Sequence, residues 1–414
     1  MLANIPMIFI LVGLAAYIVL AGADFGTGFW TLVFYRKGGD RAKFADSLHN
    51  TMGPVWEANH VWLIFILVVC WTAYPVAFAS ITSTLSVPLL IAAVGIISRG
   101  AAYALRSQFA AAPKERLIDD RVFALSSVLT PFALGAAIGG IASGRVPVGN
   151  AAGNLVTSWL NPTSVLIGVL SITTCSYLSA VYLAADAWRR ADTDMIHVLR
   201  KMSLRAGVAA GTLAMFGLLV LHADARPIWN GLTNGFGACL LCLSIASGLV
   251  ALILVWRNKF GLARVSAALA VATIVAGWAV AQQPCLLPGL TVAQAAAGQS
   301  TLIAIIVSMA FGAVVLVPSL ALLFGLSLKG RFDASPSEDI PTPKIANQPQ
   351  GHSSKLASFT VGNLLAGTAG TVFGSGWIQT LGVLCLCLFA ALAFALAAIP
   401  VDSLEKKATT QKVP

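Results

Sequence analysis

The hydrophobic positions of this chain fall in long, charge-poor runs separated by short polar breaks. The runs cover roughly residues 7–23, 61–81, 81–98, 122–141, 162–185, 206–221, 236–255, 265–281 and 301–327. Each approaches the roughly 20 residues an α-helix needs to cross a bilayer. The pattern predicts an all-α integral membrane protein with nine transmembrane helices before Lys329. The break between the second and third runs has almost no polar residue, which predicts a tight hairpin there. The pattern changes abruptly at Lys329. Residues 329–355 are rich in Pro, Ser and charge, so 333–355 is expected to be a disordered cytoplasmic linker between a nine-helix core (1–332) and a C-terminal segment (356–414). Residues 356–401 carry no charge, and 378–399 is a clear span. A single helix there would leave Lys406, Lys407 and Lys412 outside. A hairpin turning at Gly374-Ser375-Gly376, or a re-entrant first half, keeps them inside.

Composition agrees with the pattern. The chain is 58% hydrophobic and 10% charged, against about 25% charged in soluble domains. Its net charge of +10 raises the question of nucleic acid, but the placement of the cations answers it. Twenty-one of the 26 lysines and arginines lie in or beside alternate loops, whereas the intervening loops hold only Arg145 and Arg226. Positive charge gathered on one side sets orientation, so the excess is topogenic and predicts an outside N-terminus and a ninth helix ending in the cytoplasm. Residues 1–6 contain no Lys or Arg, so the first run reads as a retained helix rather than a cleaved signal. Trp30, Trp56, Trp188 and Trp256 are expected at inner helix ends, and Trp71, Trp159, Trp229 and Trp278 toward outer ends, as an interfacial belt.

Chemistry concentrates in few places. The block Gly53-Pro-Val-Trp56-Glu57-Ala-Asn59-His60-Val-Trp62-Leu-Ile64 sets a carboxylate, an amide and an imidazole at the mouth of an apolar run. An acid inside a membrane helix is costly and usually marks a proton or ion route. Asp24 comes late in the first run, Glu57 opens the second and Arg99 closes the third. Alternating helix direction therefore brings these three groups to one depth, in the cytoplasmic third of the membrane. His60 follows Glu57 at i+3, on the same helix face. Two readings stay open: a proton relay through Asp24, Glu57 and His60 with Arg99 as counter-ion, or an Asp24–Arg99 ion pair that only holds helices in register. No two histidines are close enough in sequence to share a turn, so no metal or haem site is expected within this chain. Cys239-Leu-Leu-Cys242 has the spacing of a metal or redox pair but falls inside a predicted membrane helix, where plain apolar cysteines are expected. Residues 21–28 (Ala-Gly-Ala-Asp-Phe-Gly-Thr-Gly) read as a glycine cluster at a helix end, not as a phosphate loop.

Several blocks, in order, resemble one family. Residues 53–64 are similar to the Pro-x-Trp-acid-x-Asn-x-Val-Trp-Leu-Ile signature of the second helix in subunit II of cytochrome bd-type quinol oxidases. Ala23-Asp24-Phe25-Gly26-Thr27-Gly28 resembles the end of that family's first helix, and Arg99-Gly-Ala-Ala-Tyr103-Ala-Leu-Arg106-Ser107 the motif closing its third. Residues 284–332, with Val317-Pro318 and Lys329-Gly-Arg-Phe332, resemble its last helix and cytoplasmic exit. The likeness covers about residues 1–332. It implies a nine-helix subunit paired with a haem-bearing subunit I in a bacterial inner membrane. Subunit I then carries two b-type haems, a d-type or variant haem and the quinol site. The complex would oxidise quinol and reduce dioxygen to water, with protons taken from the cytoplasm. Subunit II would bind no cofactor itself. It would scaffold the complex and contribute acids, Asp24 and Glu57 by position, to a proton route. The chain departs from the pattern at Ala21, where an acid is common, at Ala58 in place of Gly, and at His60 in place of Gln or Glu. These departures resemble a divergent or cyanide-insensitive-like branch. The 333–414 extension matches nothing in the family core; one expectation is that it stands in for a small accessory subunit. A proton-coupled secondary transporter is the alternative in another class, although no internal repeat supports it, and a purely structural subunit is a third.

Overall fold

A computed structural model of the chain describes residues 2–35, 59, 61–105 and 113–328, and, further on, residues 359, 362–370 and short pieces between 377 and 389. It divides into two compact units, Met1–Leu323 and Phe324–Pro414. The first is almost wholly helical. Its elements are α1 (Ile5–Tyr35), α2 (Val61–Ala73), α3 (Pro75–Thr84), α4 (Ser86–Leu105), α5 (Pro113–Ala142), α6 (Pro162–Arg189), α7 (Thr193–Asp224), α8 (Arg226–Thr233), α9 (Gly235–Trp256) and α10 (Phe260–Gln282). A small hairpin of β1 (Cys285–Leu287) and β2 (Leu290–Thr291), the single turn α11 (Val292–Ala295) and α12 (Gln299–Leu328) follow.

Each of the nine apolar runs before Lys329 falls on helix. Among the described residues seven helices are long and apolar enough to cross a membrane, or eight if the bent pair α3 and α4 forms one span. The chain is therefore a multi-pass membrane protein. A count of nine spans is not established, because the second run is interrupted. Pro75 has no N–H to offer the carbonyl of Trp71 and restricts the residue before it. Tyr74 accordingly leaves helical geometry, at φ −136° and ψ 62°, and α2 ends at Ala73. The freed carbonyl of Ala73 accepts from Ala297 N at 2.8 Å, and the Tyr74 hydroxyl donates to the carbonyl of Ala3. In place of a tight hairpin at Ile81, α3 and α4 meet at Leu85 with a bend of 83°.

In the helix bundle α1, α5 and α6 pack against one another and α4 packs on α5, while α7 and α10 pack on α6 and α9 packs on both of them. A large core cluster joins α6, α7, α9 and α10 through Leu178, Val181, Leu199, Val255 and Phe260. Close approach of α1 to its neighbours depends on small residues. A Cβ on Gly26 would collide with the carbonyl of Cys175 on α6, and one on Gly22 would lie 2.9 Å from Leu178 Cδ1. Such small-xxx-small spacing lets membrane helices pack backbone to backbone. The 21–28 cluster is thus not a helix end: α1 continues to Tyr35, and the glycines serve packing. Trp30 is likewise no interfacial anchor. It is buried, and its indole N–H donates to the Ser176 carbonyl at 2.9 Å, where the sequence had suggested a lipid-facing ring. Trp71, Trp188 and Trp256 are exposed, as a belt requires; Trp56 lies outside the described residues.

In the second unit, helical residues 362–370 pack against a later stretch of the same unit. A Cβ on Gly367 would lie 2.8 Å from Leu386 Cγ, and one on Gly370 would lie 3.0 Å from Gly382 Cα. The linker expected over 333–355 lies outside the described residues.

Candidate functional site

Asp24, two-thirds of the way along α1, and Arg99, near the end of α4, meet in the bundle interior. Both residues are 1% exposed. Burying an isolated charge is prohibitive in such a setting, so the two must compensate each other. Arg99 Nη2 donates to Asp24 Oδ1 at 2.6 Å, and Nε lies 3.3 Å from Oδ2, giving a forked contact. Nη2 also reaches the backbone carbonyl of Asp24 at 2.8 Å. The remaining nitrogen, Nη1, donates to the Ser127 hydroxyl on α5, which in turn donates to the Phe123 carbonyl. The Phe123 and Phe25 ring centroids stand 4.2 and 5.0 Å from the guanidinium carbon, within cation–π range. Three helices thus fix one guanidinium. Gly28 belongs to the same construction, because a Cβ there would run into Ser127 Oγ and lie 3.1 Å from Arg99 Nη1.

The sequence reading of Asp24 and Arg99 converging on one level therefore has a geometric counterpart: a hydrogen-bonded ion pair. Glu57 and His60 lie outside the described residues, so their expected place beside the pair rests on sequence alone. Ser127, Phe123 and Tyr17 were not foreseen as site residues. A serine or an aromatic within an apolar run carries no mark that separates it from ordinary packing.

Beside the ion pair is a cavity of about 10 Å³ lined by Asp24, Arg99, Tyr17, Asn59, Leu63 and Ile96. That is about the room one water molecule requires. Asn59 is 3% exposed, and neither its amide nitrogen nor its carbonyl oxygen has a partner among the described residues.

Two further ion pairs tie helices together at more exposed positions. Arg264 on α10 donates to Asp186 Oδ1 at 2.7 Å and to the Tyr182 carbonyl at 2.8 Å, both on α6. Arg145, in the α5–α6 loop, holds Asp224 at the end of α7 through contacts of 2.6 and 3.0 Å. The Asp224 carboxylate also accepts from the backbone N–H and hydroxyl of Thr163, in the first turn of α6. Among the described residues no three His, Cys, Asp or Glu side chains gather as metal ligands. Cys239 and Cys242 are exposed free thiols on α9. His197 and His222 stand at opposite ends of α7, roughly 37 Å apart at 1.5 Å per residue, too far to ligate one haem iron together.

The profile of the family described as cytochrome bd terminal oxidase subunit II matches residues 2–326. The chain is 25% identical over 366 residues to the cytochrome bd-I ubiquinol oxidase subunit 2 of Escherichia coli K12, covering 79% of this chain and 93% of that one. It is 28% identical over 223 residues to the cytochrome bd ubiquinol oxidase subunit 2 of Bacillus subtilis, and 24% over 222 residues to that organism's putative cytochrome bd menaquinol oxidase subunit II. These two matches span 63% and 62% of the Bacillus relatives' own length, and 52% and 53% of this chain. The fold is similar to a chain of the bd oxidase from Geobacillus thermodenitrificans, with a TM-score of 0.67 and 26% identity over 78% of this chain and 98% of that one.

Proposed function

The chain belongs to the cytochrome bd terminal oxidase subunit II family, and from that premise we propose that it is the non-haem subunit of a quinol-oxidising, dioxygen-reducing membrane complex. In this reading it scaffolds a haem-bearing subunit I in a bacterial cytoplasmic membrane, with its N-terminus outside. It also contributes Asp24 to a route by which cytoplasmic protons reach the partner. The partner holds the b- and d-type haems and the quinol site, which supply the electron transfer and oxygen chemistry. What this chain's residues do is bind helices together and hold or pass protons. Glu57 and His60 enter as the cytoplasmic entry of the route by their place in the sequence.

The observation that carries the proton role is the Asp24–Arg99 pair beside a water-sized cavity deep in an apolar bundle. An ionisable pair in that position is expensive and commonly functional. A merely structural contact could be made by apolar side chains at no such cost. Arg99, held by Ser127 and two rings, fixes the carboxylate of Asp24, which lines the cavity together with Asn59 and Tyr17. The transporter alternative, open from composition alone, is not favoured by the family to which the chain belongs.

Purification of the tagged chain from native membranes tests the assembly directly. The reading expects a co-purifying haem-bearing membrane subunit, reduced-minus-oxidised haem bands, and oxygen consumption supported by quinol. A haem-free chain that purifies alone would contradict it.

A further inference from the structure

We propose that Asn59 is a positioning residue that holds one water molecule between its side-chain amide, the Tyr17 hydroxyl and the Asp24 carboxylate, and that this water hands protons to or from Asp24. The inference deepens the proton-route reading and rests on it.

Three features support it. A buried primary amide with both polar ends unpartnered is costly, and native proteins rarely leave one so unless a water or ion completes it. Among the described residues Asn59 is such a group, and it lines the cavity that Asp24, Tyr17 and Arg99 also line. The cavity has a volume of about 10 Å³, close to the 10–15 Å³ that admits a single water, and it offers the two to four polar partners a buried water needs. Leu63 and Ile96 close it on the apolar side. The amide can accept through its oxygen and donate through its nitrogen. The water can therefore donate to the Asp24 carboxylate while it accepts from Asn59 or Tyr17, which is the orientation a proton carrier requires. No covalent step is involved. One proton moves along hydrogen bonds, and the water ends with the two it started with.

The test uses the whole complex. Asn59→Leu fills the cavity with a side chain of similar volume that cannot hold water, and Asn59→Ser leaves both room and a hydroxyl. The expected result for Asn59→Leu is normal haem content and an unchanged KM for quinol. Its kcat falls at least about tenfold, with an enlarged H2O/D2O solvent isotope effect. Asn59→Ser restores most of the rate. Normal kcat and isotope effect in Asn59→Leu overturn the proposal. A charge-neutral Asp24→Asn/Arg99→Gln variant, measured alongside, separates the two layers. If that variant is slow and Asn59→Leu is not, the proton route stands and the Asn59 water falls. If that variant turns over normally, the route itself falls. The water site is then decided by a high-resolution cryo-EM map of the complex: solvent density bridging Asn59 and Asp24 supports it, and a cavity without density overturns it.

Discussion

At the scale of the residue, the Asp24–Arg99 pair decides what single substitutions do. Asp24→Asn leaves a buried guanidinium unpaired and is expected to cost about 3–5 kcal/mol, read as a lower thermal midpoint of the assembled complex and reduced yield. Neutralising both partners, as in Asp24→Asn/Arg99→Gln, should recover most of that loss, because the penalty is the uncompensated charge rather than the missing contact. Gly28→Ala places a methyl group against Ser127 and Arg99; overpacking of this kind costs about 1–3 kcal/mol, visible in the same melting assay. An unshifted midpoint in Gly28→Ala would show that α1 and α5 yield more easily than the contacts imply. That the two groups lie at one depth was legible in the sequence, because charged residues late in the first and third apolar runs, which cross in the same direction, must come to one level. Ser127, Tyr17 and the cavity were not legible, since nothing in an apolar run distinguishes the face that meets a charge from the face that meets lipid. Asn59 stood in the signature block, but its unpartnered amide is a property of packing and not of spacing.

Elements show the same division between what patterning reports and what it misses. Helix existence followed from apolar run length, since each of the nine runs before Lys329 lies on helix. Helix continuity did not follow, because run length counts side chains while Pro75 acts through a missing backbone donor. The loops between spans are also more organised than their polarity suggests. Gly149 N and Ala151 N donate to Ser80 and Ser83 of α3, and Asp224 reaches from the end of α7 to the start of α6. The Asp224 carboxylate satisfies an otherwise orphan N–H of the first α6 turn while neutralising Arg145, two roles that favour an acid at a helix N-terminus. Asp224→Ala is therefore expected to cost about 1–2 kcal/mol, and Arg145→Ala less, because the arginine is one-third exposed and its attraction is screened. Equal losses from the two variants would mean that the ion pair, not the helix cap, is what matters.

The whole molecule is arranged for a membrane and for a neighbour. Only 11% of the apolar window of α12 is buried, and Phe311 and Val314 are 74% and 73% exposed. A face of that kind needs lipid or another protein chain over it. The orientation we propose puts the basic loops of the bundle in the cytoplasm. Close packing of residues 362–370 against Gly382 and Leu386 suits a hairpin at the C-terminal end, which returns Lys406, Lys407 and Lys412 to the basic side. A cysteine introduced after Lys412 should then resist a membrane-impermeant maleimide in intact cells and react after permeabilisation; labelling in intact cells would instead place one helix there. The central claim is that this subunit passes protons and does more than hold the complex together. It is tested most directly by quinol-dependent oxygen consumption of the purified Asp24→Asn/Arg99→Gln complex, normalised to haem content. At least about a tenfold loss of turnover with full haem occupancy is predicted, whereas wild-type turnover would reduce the buried pair to a structural tie and contradict the account.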